Sequence, residues 1–313
     1  MLKSAAPSIR RPTLVNRVKR RWGLCLLLLI PIVYVFIFNY TPMYGVLIAF
    51  MRFNPKLGIL GSPWVGLYQF ERFLGSVKFG QIMVNTISVS IYSLIAGFPI
   101  PILLALGLTH LKSSKYRKTV QMVTYAPYFL STVIMVSLLS QLLNLRSGLL
   151  NRFLMIMGMD AVSFMGNASS FRHVYVWSSV WQEMGYGAII YISALSSVDP
   201  QLHEAACIDG ASMWKRIWHI DLPGITPTIV IMLILRMGSL LSVGFEKVFL
   251  MQNPTNLAVS ELIETYVYKV GLTAARPDFS YATAVGLFQN VISFLLVMSA
   301  NFVVSKVSDN GFI

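Results

Sequence analysis

The segment 199–223 reads DPQLHEAACIDGASMWKRIWHIDLP and lies between two long apolar runs of the chain. Its opening Asp-Pro pair at 199–200 supplies an N-cap residue and a proline that fits the first position of a helix. The Asp-Gly pair at 209–210 predicts a turn, and apolar residues resume at helical spacing after that turn. We expect the Leu-Pro pair at 222–223 to end this second helix before the next apolar run.

The two short helices of this segment are predicted to be amphipathic. The alanines at 205 and 206 are small enough to allow a close approach, and Glu204 and Asp209 offer negative charge to a basic partner. An amphipathic helix pair of this kind suits docking into a groove of another protein. The segment therefore predicts a protein contact as well as a local fold.

The composition places the chain in a membrane. Of its 313 residues, 56% are hydrophobic and only 12% are charged, and the mean hydropathy is +0.66. A single soluble core could not bury so much apolar surface. The net charge of +13 does not indicate nucleic acid, because the basic residues form short clusters between the apolar runs. Such clusters are typical of cytoplasmic loops next to anionic lipid.

Six apolar runs are long enough to cross a bilayer as helices, since one span needs about 20 residues. They cover residues 24–50, 82–108, 120–143, 174–195, 225–245 and 281–304. The sequence therefore predicts an all-α integral membrane protein with six transmembrane helices. Prolines in the first three runs predict kinks, which a neighbouring helix or water can accommodate.

The domain organisation follows from these spans. Residues 1–23 form a basic N-terminal segment, residues 24–305 form the six-span domain, and residues 306–313 form a short tail. Lys and Arg residues crowd the segment before the first span and the loop after the second span. Because positive charge marks the cytoplasmic side, we expect both termini and the segment 199–223 to lie in the cytoplasm.

The segment 199–223 resembles the EAA loop of bacterial ABC importer permeases. It carries Glu-Ala-Ala at 204–206, a glycine six residues after the glutamate, and an Ile-x-Leu-Pro sequence that ends at 223. Further stretches are similar to the carbohydrate-uptake branch typified by the maltose importer: residues 64–67, 85–86 and 244–254. Two more look like the alginate-type subgroup of that branch: residues 286–289 and Asn301.

This resemblance implies the permease subunit of an ATP-driven oligosaccharide or polysaccharide importer that works by alternating access. In that family the loop docks into a cleft of the ATP-hydrolysing subunit. The residues that match its coupling pattern are Glu204, Ala205, Ala206, Asp209, Gly210, Ile220, Leu222 and Pro223. The implied partners are a second homologous permease, two ATP-binding cassette subunits that hold ATP and magnesium, and an extracytoplasmic solute-binding protein, all at a bacterial cytoplasmic membrane.

Two charged residues fall inside the predicted spans, Glu183 in the fourth and Arg236 in the fifth. A charge at membrane depth is costly and marks a functional site by default, although these two residues could instead form a structural pair. The fourth span also offers amide and aromatic groups that suit sugar hydroxyls and rings, whereas the asparagines could equally serve helix packing. The candidate substrate-pathway residues are Asn85, Trp177, Trp181, Gln182, Glu183, Tyr186 and Asn290.

No catalytic or metal site stands out in the sequence. The chain has no phosphate loop for ATP, and its two cysteines and four histidines show no ligand spacing. We therefore expect no enzyme activity and no cofactor bound by this chain itself. The main alternative is a secondary transporter driven by an ion gradient, which needs an ion site near the membrane midplane. In this chain Glu183 would have to be the ion ligand of that site. An integral-membrane enzyme would need an acidic or histidine cluster at one interface.

Overall fold

The computed structural model of the chain describes residues 22–307, apart from the side chain of Cys25. Within this range the backbone is helical, and an isolated antiparallel bridge between Met51 and Trp64 is the one β-type pairing. The predicted basic segment up to residue 21 and the tail from residue 308 lie outside the described residues. The cytoplasmic placement of both termini therefore stays a prediction.

Residues 22–307 fold into eight principal helices, most of them joined by loops and short helical turns. The principal helices are α1 (Trp22–Phe50), α2 (Val77–His110), α3 (Ser114–Phe129), α4 (Thr132–Leu142), α5 (Ala168–Leu195), α6 (Pro200–Ile208), α7 (Met213–Gly238) and α8 (Phe279–Val307). The short turns between them are Gly58–Gly61, Tyr68–Leu74, Leu149–Ile156, Phe245–Met251, Leu257–Ser260, Ile263–Tyr268 and Lys269–Thr273.

Four of the described helices, α1, α2, α7 and α8, are long and apolar enough to cross a membrane, and α3 with α4 forms a fifth span if the bent pair is counted as one. The predicted span 120–143 is bent, as its proline indicated, because α3 and α4 meet at an angle of 104°. Pro127 lies in the tight last turn of α3, and the Ser131 side chain then caps α4 by accepting a hydrogen bond from the Ile134 amide.

The predicted fourth span, residues 174–195, lies within α5, which has 28 residues. By composition α5 is not among the apolar spans, because polar and charged side chains such as Arg172 and Glu183 are distributed along it. It packs against α2, α3 and α7, so these side chains can face protein rather than lipid. A count of six spans therefore depends on α5, and the composition alone does not give it.

The predicted fifth span is wrong at its C-terminal end. Helix α7 stops at Gly238 rather than at residue 245, and a non-helical stretch separates it from Phe245–Met251. The next helix can change direction there because Gly244 has a φ of +91°, which strongly favours glycine.

The apolar core is organised around α5. One cluster surrounds Phe171 and Tyr175 in its first half, and a second joins Leu195 near its end to Ile217 and Ile225 of α7. By contrast, α1 is exposed on every side as far as residue 44 and becomes buried only near its end. A helix that is apolar all round and unburied requires lipid or another protein around it.

Candidate functional site

The predicted helix, turn and second helix are confirmed in the segment 199–223. The Asp199 carboxylate caps α6 by accepting a hydrogen bond of 2.9 Å from the Gln201 amide. After α6, Gly210 adopts a φ of +74°, and the Ser212 hydroxyl then caps α7. An ideal β-carbon at Gly210 would meet nothing within 4 Å, so the left-handed backbone, and not crowding, is what favours glycine.

The prediction that Leu222 and Pro223 end the second helix is wrong, because α7 continues without a break to Gly238. The residues just before the proline, Ile217–Asp221, form a wide π turn. There the Leu222 amide donates to the Ile217 carbonyl, five residues back. This shift of the hydrogen-bond register lets the proline, which has no N–H and would crowd a regular helix, follow without breaking it.

The outer face of this helix pair is unusually apolar for an exposed surface. Exposed fractions reach 87% for Ile208, 75% for Trp214 and 70% for Trp218. Of the eight residues that match the coupling pattern, five are exposed: Glu204, Ala205, Asp209, Gly210 and Pro223. The other three are partly buried: Ala206, Ile220 and Leu222. Large exposed apolar groups beside acidic residues indicate a docking surface for another molecule.

Beneath this surface lies a cluster that the sequence did not reveal, formed by His110, His203 and Asp221 and here called the His–Asp cluster. The Asp221 carboxylate is 2% exposed, and its oxygens lie 3.3 Å from Nε2 of His110 and 3.2 Å from Nε2 of His203. The three residues belong to the end of α2, the middle of α6 and the π turn of α7. The cluster thus ties the exposed helix pair to two of the long helices.

The contacts of His110 orient its ring within the cluster. Its Nδ1 lies 3.0 Å from the Leu106 carbonyl oxygen, which can only accept a hydrogen bond. Nδ1 therefore donates to this carbonyl, and Nε2 faces the Asp221 carboxylate. A buried carboxylate needs polar partners of this kind, because burial of an unpaired charge is expensive.

The candidate pair Glu183 and Arg236 faces a small cavity of about 160 Å³ that is also lined by Ser179 and Ser242. The closest charged atoms of the pair are 3.9 Å apart, and the side chains are 58% and 46% exposed. A pair so long and so exposed contributes little to stability. The geometry leaves both charges available to a polar molecule in the cavity.

The seven candidate pathway residues do not form one site. Asn85 is buried and bonded to the carbonyls of Ala258 and Glu261 and to Arg172, and Gln182 donates to the Leu130 carbonyl. The aromatic candidates Trp177, Trp181 and Tyr186 are 51%, 43% and 46% exposed. Only Glu183 lines the small cavity.

Asn290 lines a separate cavity of about 620 Å³ between α8, the end of α1 and the turns after α7. Glu264, Gln289 and Phe245 also line this cavity, and Ser242 borders both cavities. The larger cavity combines carboxylate, amide and aromatic groups, as ligand sites do. The sequence indicated Asn290 but gave no signal for Glu264.

Lys247 is a second residue that the sequence did not single out. It is buried to 7% exposure in the turn Phe245–Met251, and its Nζ donates a hydrogen bond of 2.8 Å to the Ser179 hydroxyl. Burial lowers the pKa of Lys247 to about 8, and the negative charge of Glu183 opposes this shift. In the sequence Lys247 follows Glu246, and nothing in that pattern indicated its burial.

Comparison with known proteins shows which family shares this architecture. Residues 97–309 match the family model of the binding-protein-dependent transport system inner membrane component. The chain is 41% identical over 302 residues to the polygalacturonan/rhamnogalacturonan transport system permease protein YteP of Bacillus subtilis (strain 168), covering 96% of this chain and 93% of that protein. It is 40% identical over 294 residues to protein LplB of the same organism, covering 94% and 92%.

The fold is also that of a solved transporter. A chain in the crystal structure of a bacterial ABC transporter involved in the import of the acidic polysaccharide alginate superposes with a TM-score of 0.86 at 38% identity, covering 94% of this chain and 99% of that chain. A second alginate transporter structure, in complex with a pentasaccharide-bound periplasmic protein, gives 0.87 at 37% identity, covering 95% and 99%.

The apolar helices and the exposed helix pair together define a membrane-embedded transport subunit. The chain belongs to the family of inner membrane components of binding-protein-dependent transport systems. The resemblance to ABC importer permeases is confirmed, and with it the all-helical permease fold.

Proposed function

We propose that this chain is the permease subunit of an ATP-driven importer of oligosaccharides, with acidic glycans as the favoured substrates. The observation that carries the proposal is the exposed helix pair α6–α7, which presents the EAA pattern on a capped helix followed by a left-handed glycine. The names of the relatives, which refer to polygalacturonan, rhamnogalacturonan and alginate, support an acidic sugar polymer.

The proposed topology has six spans: α1, α2, the bent pair α3–α4, α5, α7 and α8. An even number of spans places both termini on one side, and the basic N-terminal segment makes that side the cytoplasm. The helix pair α6–α7 then also faces the cytoplasm, because it follows the fourth span. This geometry presents the apolar residues of the pair to a cytoplasmic partner.

The proposed assembly pairs this chain with a second homologous permease in the bacterial cytoplasmic membrane. Two ATP-binding cassette subunits bind ATP and magnesium below it, and an extracytoplasmic binding protein delivers the sugar above it. Closure of the ATPase pair moves α6, and the His–Asp cluster carries that movement to α2 and α7 because it joins all three elements. The membrane helices then alternate between inward-open and outward-open states.

The test uses two substitutions in the helix pair and one matched control. Gly210→Val places a β-branched residue at a φ of +74°, which such residues rarely adopt. Glu204→Arg reverses an exposed charge that we expect to face a basic partner. Gly158→Val is the control, because Gly158 has a similar φ of +76° and equally open surroundings but lies far along the chain from the helix pair.

The measurement is co-purification of the ATPase subunits and their substrate-stimulated activity in nanodiscs. Both helix-pair variants should insert and pair with the second permease, yet lose ATPase docking or stimulation, whereas the Gly158 variant should behave as wild type. Normal docking, stimulation and uptake in both helix-pair variants would show that this segment is not the coupling element.

A further inference from the structure

Arg172 occupies the end of α5 that is remote from the helix pair α6–α7. Its Nη2 donates a hydrogen bond of 3.0 Å to the Asn85 side-chain oxygen, while its Nε is buried without a hydrogen-bond partner. Among the ion pairs of residues 22–307, none includes Arg172. A partly buried guanidinium without an acid is an unusual feature, since buried charges are normally paired.

The surroundings of Arg172 are positive. Asn85 links Arg172 to the backbone carbonyl of Glu261, whose carboxylate already pairs with two lysines, Lys78 at 2.8 Å and Lys269 at 3.7 Å. This group therefore holds three basic side chains and one acidic side chain. The excess positive charge attracts an anion, and low-dielectric walls strengthen that attraction.

A cavity of about 470 Å³ opens beside Arg172 and is lined in part by Ser88, Tyr92 and His173. The Tyr92 hydroxyl lies 2.8 Å from Nδ1 of His173 and accepts a 2.8 Å hydrogen bond from the Trp177 indole. Aromatic rings held in place next to hydroxyl and guanidinium groups suit a sugar ring that carries a carboxylate.

The position of this cavity fits an entry point of the transport pathway. Arg172 precedes Glu183 by eleven residues on the same helix, or roughly 16 Å at about 1.5 Å per residue. It lies at the opposite end of α5 from the proposed cytoplasmic helix pair. An oligosaccharide that reaches the Glu183 cavity from outside would therefore pass Arg172 first.

We infer that Arg172, with Tyr92 and His173, forms an outer subsite that binds one carboxylate-bearing sugar unit of an acidic oligosaccharide, and that Trp177 holds Tyr92 in place there. This inference rests on the proposed importer function and adds the residues that select for an acidic substrate. Arg172 binds the carboxylate through the N–H groups of its Nη atoms, and Tyr92 and His173 contact the ring.

The test measures equilibrium binding to the purified importer complex in nanodiscs made of zwitterionic phosphatidylcholine. The probes are trigalacturonate and its fully methyl-esterified, uncharged form. The variants are Arg172→Gln, Arg172→Lys and, as the matched control, Arg152→Gln, since Arg152 is an exposed arginine on the turn Leu149–Ile156. Retained ATPase co-purification with each variant shows that the complex itself is intact.

Wild-type complex should prefer trigalacturonate over the ester, and Arg172→Gln should weaken trigalacturonate binding about tenfold, as expected for one lost charge-assisted hydrogen bond. Binding of the ester should be unchanged, Arg172→Lys should retain part of the preference, and Arg152→Gln should match wild type. Equal binding of both probes by wild type, or an unchanged preference in Arg172→Gln, would overturn the subsite. So would a preference that appears only when anionic lipid is added. Because none of these outcomes affects ATPase docking, they leave the importer function to be judged separately.

Discussion

The His–Asp cluster makes the sharpest prediction, tested by the substitution Asp221→Asn. Asparagine has the same size as aspartate and retains one acceptor oxygen, but it removes the negative charge that faces His110 and His203. Because His110 and His203 both face Asp221 through Nε2, a neutral asparagine no longer offers either ring a negatively charged partner. The substitution therefore weakens both contacts without creating a cavity.

The magnitude follows from the burial of the cluster. Asp221 is 2% exposed and the two histidine side chains are 13% and 25% exposed, so solvent screens these contacts only weakly. Leaving a buried polar group without its charged partner costs about 1 to 3 kcal/mol, and asparagine can keep one neutral contact. We expect α6 to lose about 2 to 3 kcal/mol of local stability, or roughly a 30- to 150-fold increase in its opening equilibrium.

Hydrogen–deuterium exchange of the purified chain in nanodiscs measures this opening directly. Amides of Pro200–Ile208 should exchange faster in Asp221→Asn, while those in the first half of α5 should not change. His219→Gln is the control, because His219 is exposed and its ring contacts the Lys215 carbonyl within the same helix. Identical exchange of α6 in wild type and Asp221→Asn would refute the argument that the cluster holds this helix.

Two further predictions concern α5. Gly185→Ala should destabilise the fold by about 1 to 3 kcal/mol, because the new β-carbon would overlap the backbone of Thr124 in α3. Thermal unfolding measures this loss. The control is Gly107→Ala, because a β-carbon at Gly107 would meet nothing within 4 Å. Glu183→Gln should change stability by less than about 1 kcal/mol, since its pair with Arg236 is long and exposed, whereas trigalacturonate uptake should fall. Loss of stability, or unchanged uptake, in Glu183→Gln would remove it from the substrate pathway.

Local signals predicted the helix pair well. The Asp-Pro start, the Asp-Gly turn and the apolar spacing each act over a few residues, and the structure confirms the cap at Asp199 and the left-handed Gly210. The same approach failed at Pro223, because a π turn adds a residue to the preceding helical turn and moves the hydrogen-bond register. Nothing in the sequence pattern distinguishes that turn from a regular one.

The sites depend on contacts between distant parts of the chain, which periodicity does not report. The His–Asp cluster joins residues 110, 203 and 221, so each histidine on its own looked unremarkable. The predicted Glu183–Arg236 pair does exist, but only its distance and exposure show that it is weak. Likewise, Asn85 was predicted as a substrate-pathway candidate, whereas its hydrogen bond to Arg172 could be seen only in the fold.

The distribution of proline bears on how a movement at α6 could reach the outer end of the molecule. Pro99 and Pro101 lie in α2, Pro127 lies at the bend between α3 and α4, and Pro223 follows the π turn of α7, whereas α5 contains no proline. Proline marks the places where a helix bends, so bending is concentrated in the helices that surround α5. The central helix can then move as one rigid body of about 42 Å, given 28 residues at about 1.5 Å each. A tilt imposed at the end of α5 next to α6 would shift Glu183 and Arg172 together, which links the proposed coupling surface to both proposed substrate contacts through a single element.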